Sequence, residues 1–137
     1  MSTLFLLLAC THAVPPSPPP TTPTGPSSHA LRVSAPGIDP NYAGTWGGDS
    51  STAVYRIGIE GDQLWLDAWD SGDGEWFSLD RLVYDRDVTV ETTMPSTNWT
   101  LQNRFVLEGP GKMTQKISGA ASGEFELRRV SVEPTRE

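Results

Sequence analysis

The side chains best able to do chemistry in this sequence are carboxylates. Asp67, Asp70, Asp73 and Glu75 form its densest acidic group. A general acid–base pair needs one partly buried member whose pKa is raised towards neutrality. Asp67 alternates with Trp65 and Trp69, so it shares an aromatic strand face and is the best candidate for that role. The run Asp70-Ser71-Gly72-Asp73-Gly74-Glu75 has the look of a calcium loop. Counting Asp70 as the first position, however, puts Arg81 at the twelfth, where an EF-hand needs Glu. The run reads better as a solvated turn in which Asp caps backbone amides and Gly takes positive φ. From residue 41 onward there is no histidine and no cysteine. That excludes Ser-His-Asp and Cys-His nucleophile systems and His-based transition-metal sites from this section. No Gly-rich phosphate loop occurs, and a net charge of −7 repels nucleic acid. The sequence points away from an enzyme, and no metal or cofactor is expected.

The aromatic residues carry more information. Trp65, Trp69, Trp76 and Trp99 fall in the middle of the charged section and near the same loops. With Tyr55 and Arg104 they are the expected ligand-binding set: aromatic walls around a small hydrophobic or amphiphilic molecule, with a polar anchor. Arg56 and Asn103 are further candidate anchors. The competing reading, and the one favoured for the interior, is that the aromatics fill or nearly fill a small barrel or cover its outside, because strands of about seven residues enclose little volume.

These side chains need a frame. From about Asn41 to Val130 the pattern has period two, with β-branched and aromatic runs broken by Gly, Asp, Asn and Pro clusters. Tyr42–Gly47, Thr52–Glu60, Gln63–Trp69, Glu75–Tyr84 (bent near Asp80), Val88–Met94, Asn98–Leu107, Lys112–Ser118 and Gly123–Val130 read as strands. No window shows a helical apolar stripe. Short connections demand antiparallel neighbours. About eight such strands close most simply into an up-and-down barrel, which leaves no exposed edge. A β-sandwich is the alternative. The expected fold is therefore all-β, with the barrel over residues 41–131 and a tail over 132–137.

Gly44-Thr45-Trp46 opens this section and Arg128-Arg129 closes it. The pattern resembles that of lipocalins and related calycin barrels, whose first strand carries Gly-x-Trp and whose last strand ends in an Arg packed over that Trp. The resemblance implies a barrel closed at one end by Trp46 and Arg129, since alternation puts Arg129 on the face of Phe125 and Leu127. It also implies non-covalent binding of a small ligand.

The front of the chain is different. No Asp, Glu, Lys or Arg occurs from Met1 to Leu31. Leu4–Ala9 is apolar but far shorter than the roughly 20 residues needed to span a bilayer. Leu7-Leu8-Ala9-Cys10 resembles the lipobox of bacterial lipoproteins, in which a peptidase cuts before the cysteine. The resemblance implies a signal peptide over residues 1–9, a thiol carrying diacylglyceryl, and an acylated new amino terminus at Cys10. Several acyl chains together give stable anchoring where one does not. Thr11, in place of the Asp that retains lipoproteins in the inner membrane, points to the outer membrane. Residues 10–40 then read as a lipidated, disordered tether, because the prolines at 15, 16, 18, 19, 20, 23 and 26 remove amide donors and fix φ.

The combined expectation is a lipid-anchored protein of the bacterial cell envelope whose small barrel binds a hydrophobic or amphiphilic ligand. Its rival is an envelope interaction module with a filled barrel, no ligand and a protein partner.

Overall fold

The computed structural model describes residues 23, 25–132 and 134. Cys10, the lipobox around it and most of the proline run lie outside the described residues.

The described chain is all-β and forms a nearly closed antiparallel barrel. Its strands are β1 (Leu31–Ser34), β2 (Gly44–Gly47), β3 (Ala53–Glu60), β4 (Gln63–Asp70), β5 (Ser78–Asp85), β6 (Asp87–Met94), β7 (Trp99–Gly109), β8 (Lys112–Gly119) and β9 (Gly123–Arg129). They make one sheet in the order β1-β4-β3-β2-β9-β8-β7-β6-β5, so the sandwich alternative does not apply. Strands β2 to β9 are the eight that the alternation anticipates. The first and last of these meet edge to edge, with Trp46 opposite Arg129. The expected bend near Asp80 is a register shift between Asp80 and Val83, where Arg81 takes a φ of 56°.

The seam between β4 and β5 closes in two pieces. Near one end, Phe77 N donates to Ala68 O (3.0 Å) and Asp70 N to Glu75 O (2.8 Å), which ties the approach to β5 onto the edge of β4. Towards the other end that edge is taken by β1, with Leu31 opposite Leu66 and Ser34 opposite Gln63. Strand β1 corrects the expected tether boundary: residues 31–34 belong to the sheet, and Ser27 and Ala35 are buried beyond its two ends. Four residues with two apolar positions, Leu31 and Val33, are enough once β4 supplies a ladder and the core supplies a surface.

One end of the barrel is plugged. After β1 the chain crosses the interior as a loop and a 3-10 turn (Pro40–Tyr42), capped by Asp39, whose carboxylate accepts from Asn41 N at 2.9 Å. Ile38 and Tyr42 are thereby laid beneath the core. The Tyr42 hydroxyl donates to Phe105 O on the far wall (2.8 Å), and its ring meets Tyr84 edge-on. Burial, helped by nearby Asp87, pushes the Tyr42 pKa up to about 12. Trp46 Nε1 donates to Tyr42 O (2.9 Å). The Arg129 guanidinium lies over the Trp46 ring, 4.9 Å from its centroid, and its Nη2 donates to Asn41 O (2.8 Å). Such a contact contributes about 0.5–2 kcal/mol. Gly44 makes room for it: a Cβ there would stand 2.9 Å from Arg129 Nε. Above this plug Ile57, Leu64, Leu66, Val88, Phe105 and Met113 pack with almost no exposure.

Candidate functional site

The opposite half of the barrel is not filled. A cavity of about 420 Å³ opens between the β2–β3, β4–β5, β6–β7 and β8–β9 connections. Its walls are mainly apolar: Phe77, Met94, Leu101, Ile117, Phe125 and Leu127, with Trp99 at the rim. Phe77, just before β5, is held by its N–H bond to Ala68 O (3.0 Å), and the others point inward because alternation along their strands places them on the core face. Met94 opposes Trp99, and Gln115 opposes both Phe105 and Phe125. The volume lies within the range of sites for small organic ligands, roughly 300–1,000 Å³. The expectation of a nearly filled interior therefore holds only for the plugged half.

The floor of the cavity is a polar layer whose polarity can be worked out. The Val90 carbonyl can only accept, so Asn103 turns its NH₂ towards it (3.1 Å) and towards Thr92 Oγ1 (3.0 Å). That leaves Asn103 Oδ1 to accept from Gln115 Nε2 (2.9 Å). Gln115 Nε2 also donates to the Tyr55 hydroxyl oxygen (2.8 Å). Both Gln115 amide protons are then committed, and Tyr55 is an acceptor in this chain. Among the described residues the Tyr55 hydroxyl proton and the Gln115 carbonyl oxygen have no hydrogen-bond partner, and both residues line the cavity. Burial pushes the Tyr55 pKa up to about 12, against the opposing pull of the Gln115 hydrogen bond, so the hydroxyl keeps its proton at neutral pH. The floor thus presents one donor and one acceptor beneath apolar walls.

A second cluster sits on the outer face of β3 and β4. The turn at Gly61-Asp62 sets Glu60 opposite Gln63, which puts Arg56 opposite Asp67 and Gly58 opposite Trp65. Arg56 holds Asp67 with two bonds, Nε to Oδ1 at 2.9 Å and Nη2 to Oδ2 at 2.7 Å. Their side chains are only 3% and 0% exposed. The backbone N–H of Ser27 completes the carboxylate's shell at 3.0 Å. The guanidinium lies 5.5 Å from the Trp65 ring centroid and 5.9 Å from that of Trp69. Trp69 leans on Trp76, which stacks on His29 at 4.7 Å. The segment before β1 covers this cluster.

The sequence-derived ligand set is accordingly split. Tyr55 and Trp99 line the cavity. Trp65, Trp69 and Trp76 do not: they stand outside the barrel, where they bury an ion pair rather than a ligand. Arg104 is also outside, exposed and paired with Asp87 at 2.9 Å. Asp67, the best candidate for acid–base work, is bound to Arg56 and faces away from the cavity. Asn103 proves to be part of the floor, whereas Arg56 does not. Thr92, Gln115, Ile117 and Phe125 were not anticipated as site residues. Strand alternation would have placed Gln115 between the inward Met113 and Ile117, where a buried amide demands a partner.

No family model, no curated protein and no solved structure matches this chain.

Proposed function

We propose that the protein binds one small hydrophobic or amphiphilic molecule non-covalently in the barrel cavity, and that it is displayed from a bacterial membrane, the outer one, by lipid attached to Cys10. The observation that carries the binding reading is the open, apolar cavity of about 420 Å³ over a floor with an uncommitted donor and acceptor. An apolar body would lose water to the walls, at about 25 cal/mol for each Å² buried. A carbonyl or hydroxyl on the ligand would meet Tyr55 and Gln115. A lipocalin-like pattern is consistent with this, since Trp46 and Arg129 stack at the closed end. The anchoring reading rests on the lipobox-like Leu7-Leu8-Ala9-Cys10 and the proline-rich stretch after it.

The binding test is native mass spectrometry of the full chain after incubation with an envelope lipid extract, beside Ile117→Trp, which places an indole in the cavity. A bound species on the parent that is lost from the variant supports the reading. A parent that carries nothing, or a variant that carries the same species, overturns it in favour of an interaction module. For anchoring, a Cys10→Ala protein that still partitions with membranes would overturn lipidation.

A further inference from the structure

We propose that the barrel docks mouth-first on a zwitterionic lipid bilayer, through the rim formed by the β6–β7 and β8–β9 turns, so that the cavity opens into the membrane. This deepens the ligand-binding reading and rests on it for what the cavity holds.

Three observations converge. First, the rim is apolar where it is most exposed. Trp99 is 56% exposed and Phe125 37%, and both also line the cavity. Exposed aromatic residues continuous with an apolar pocket mark an interaction surface, and Trp favours the bilayer interface. Second, the two turns beside them, Pro95-Ser96-Thr97-Asn98 and Gly119-Ala120-Ala121-Ser122-Gly123, hold no charged residue. They lie together because β7 pairs with β8, and Ala120 N donates to Thr100 O (3.1 Å). The turns of the plugged end all carry charge, namely Glu60, Asp62, Asp85, Arg86, Asp87, Glu108 and Lys112, whereas the charges of the open end, Asp49, Asp70, Asp73 and Glu75, are confined to its β2–β3 and β4–β5 connections, Glu75 accepting from Ser96 N (2.7 Å) and Ser96 Oγ (2.8 Å). Charge is expensive to bring against hydrocarbon, so contact falls on the β6–β7 and β8–β9 side of the mouth, with the β2–β3 and β4–β5 connections tilted towards water.

Third, the chain enters at the mouth. β1 runs antiparallel to β4, from Leu31 opposite Leu66 down to Ser34 opposite Gln63, at the plugged end. The residues before it head the other way, past Asp67 and Trp76 towards the open end. Cys10 is thirteen residues before Pro23, a span of at most about 45 Å even when fully extended. Attachment at Cys10 therefore draws the open end towards its anchor. The bilayer is specified as zwitterionic because the chain's net charge of −7 is repelled by an anionic surface.

Cys10 is the chain's sole cysteine, so the full chain can be coupled through it to a maleimide-bearing lipid in phosphatidylcholine vesicles. Acyl chains brominated near the glycerol then report contact by quenching tryptophan emission. Docking predicts a loss of emission that is absent in Trp99→Tyr. It also predicts that Ala120→Glu with Ser122→Glu, two exposed turn positions outside the cavity lining, abolishes the loss while native mass spectrometry still finds the same bound species. No quenching in the parent, or equal quenching in the charged variant, overturns docking and leaves the ligand reading intact. Quenching by a parent that binds nothing supports docking and overturns the ligand reading instead.

Discussion

Replacing Asp67 by Asn tests whether the outer cluster is structural. The two oxygens of Asp67 take bonds of 2.9 and 2.7 Å from Arg56 and one of 3.0 Å from Ser27 N. Neither charged side chain is more than 3% exposed, so water cannot take over. Asn keeps the size but removes the charge and turns one acceptor into a donor, leaving the buried guanidinium without its carboxylate. Losing one partner of a buried pair costs about 3–5 kcal/mol. For a domain of this size about 3 kcal/mol corresponds to a fall in Tm of roughly 12–20 °C. Urea and thermal unfolding followed by near-ultraviolet circular dichroism measure it directly. The double variant Arg56→Met with Asp67→Leu removes both charges and should recover most of the loss, because apolar replacement of a whole buried pair is often neutral or stabilising. An Asp67→Asn protein within about 1 kcal/mol of the parent would refute the reasoning, since that is the range of an exposed pair.

Other consequences follow from the same geometry. Gly58→Ala sets a Cβ about 2.2 Å from the Trp65 indole, which is fully buried, so overpacking should cost at least about 1–3 kcal/mol and red-shift the emission as the ring is displaced. Tyr55 gives a pH prediction. Its pKa is near 10 when unfolded and about 12 when folded, so the folded state holds the proton more tightly. The stabilisation is fully present below pH 10 and is lost as pH rises towards 12, by about 2–3 kcal/mol from this group. Denaturation across that window should show the slope, and Tyr55→Phe should reduce it while the parallel contribution of Tyr42 remains. In binding, Tyr55→Phe removes the floor's donor. Affinity for a ligand with a carbonyl should fall about 3- to 10-fold, read by titration calorimetry, with little change for a pure hydrocarbon.

Much of the barrel was legible because its strands alternate cleanly. Phe105 and Leu107, or Val88 and Val90, leave no doubt which face turns inward, and the meeting of Trp46 with Arg129 is what the resemblance to lipocalin-type barrels implies, alternation only choosing Arg129 over Arg128. β4 was harder. Leu64, Leu66 and Ala68 alternate with Trp65, Asp67 and Trp69, and both sets are buried, so hydrophobicity alone cannot tell core from outer face. The decisive signal was the two-residue turn at Gly61-Asp62. It fixes the register, and hairpin arithmetic then sets Arg56 against Asp67, and Gly58 under Trp65. β1 left almost no signal, since Leu31 and Val33 make two alternations at the end of a proline-rich stretch. Its place comes from the gap between β4 and β5, which only the closed barrel creates.

The direction of β1 also governs how the domain bears a load. A pull on the residues before Ser27 runs along the strand, parallel to β4. The rungs between Leu31 and Ser34 and their partners then strain together instead of parting one by one. The Ser27–Asp67 bond lies ahead of them and takes tension first. A barrel hung by this segment would resist drag as a lap joint does, and its weakest point would be that single bond at the edge of the tryptophan cluster.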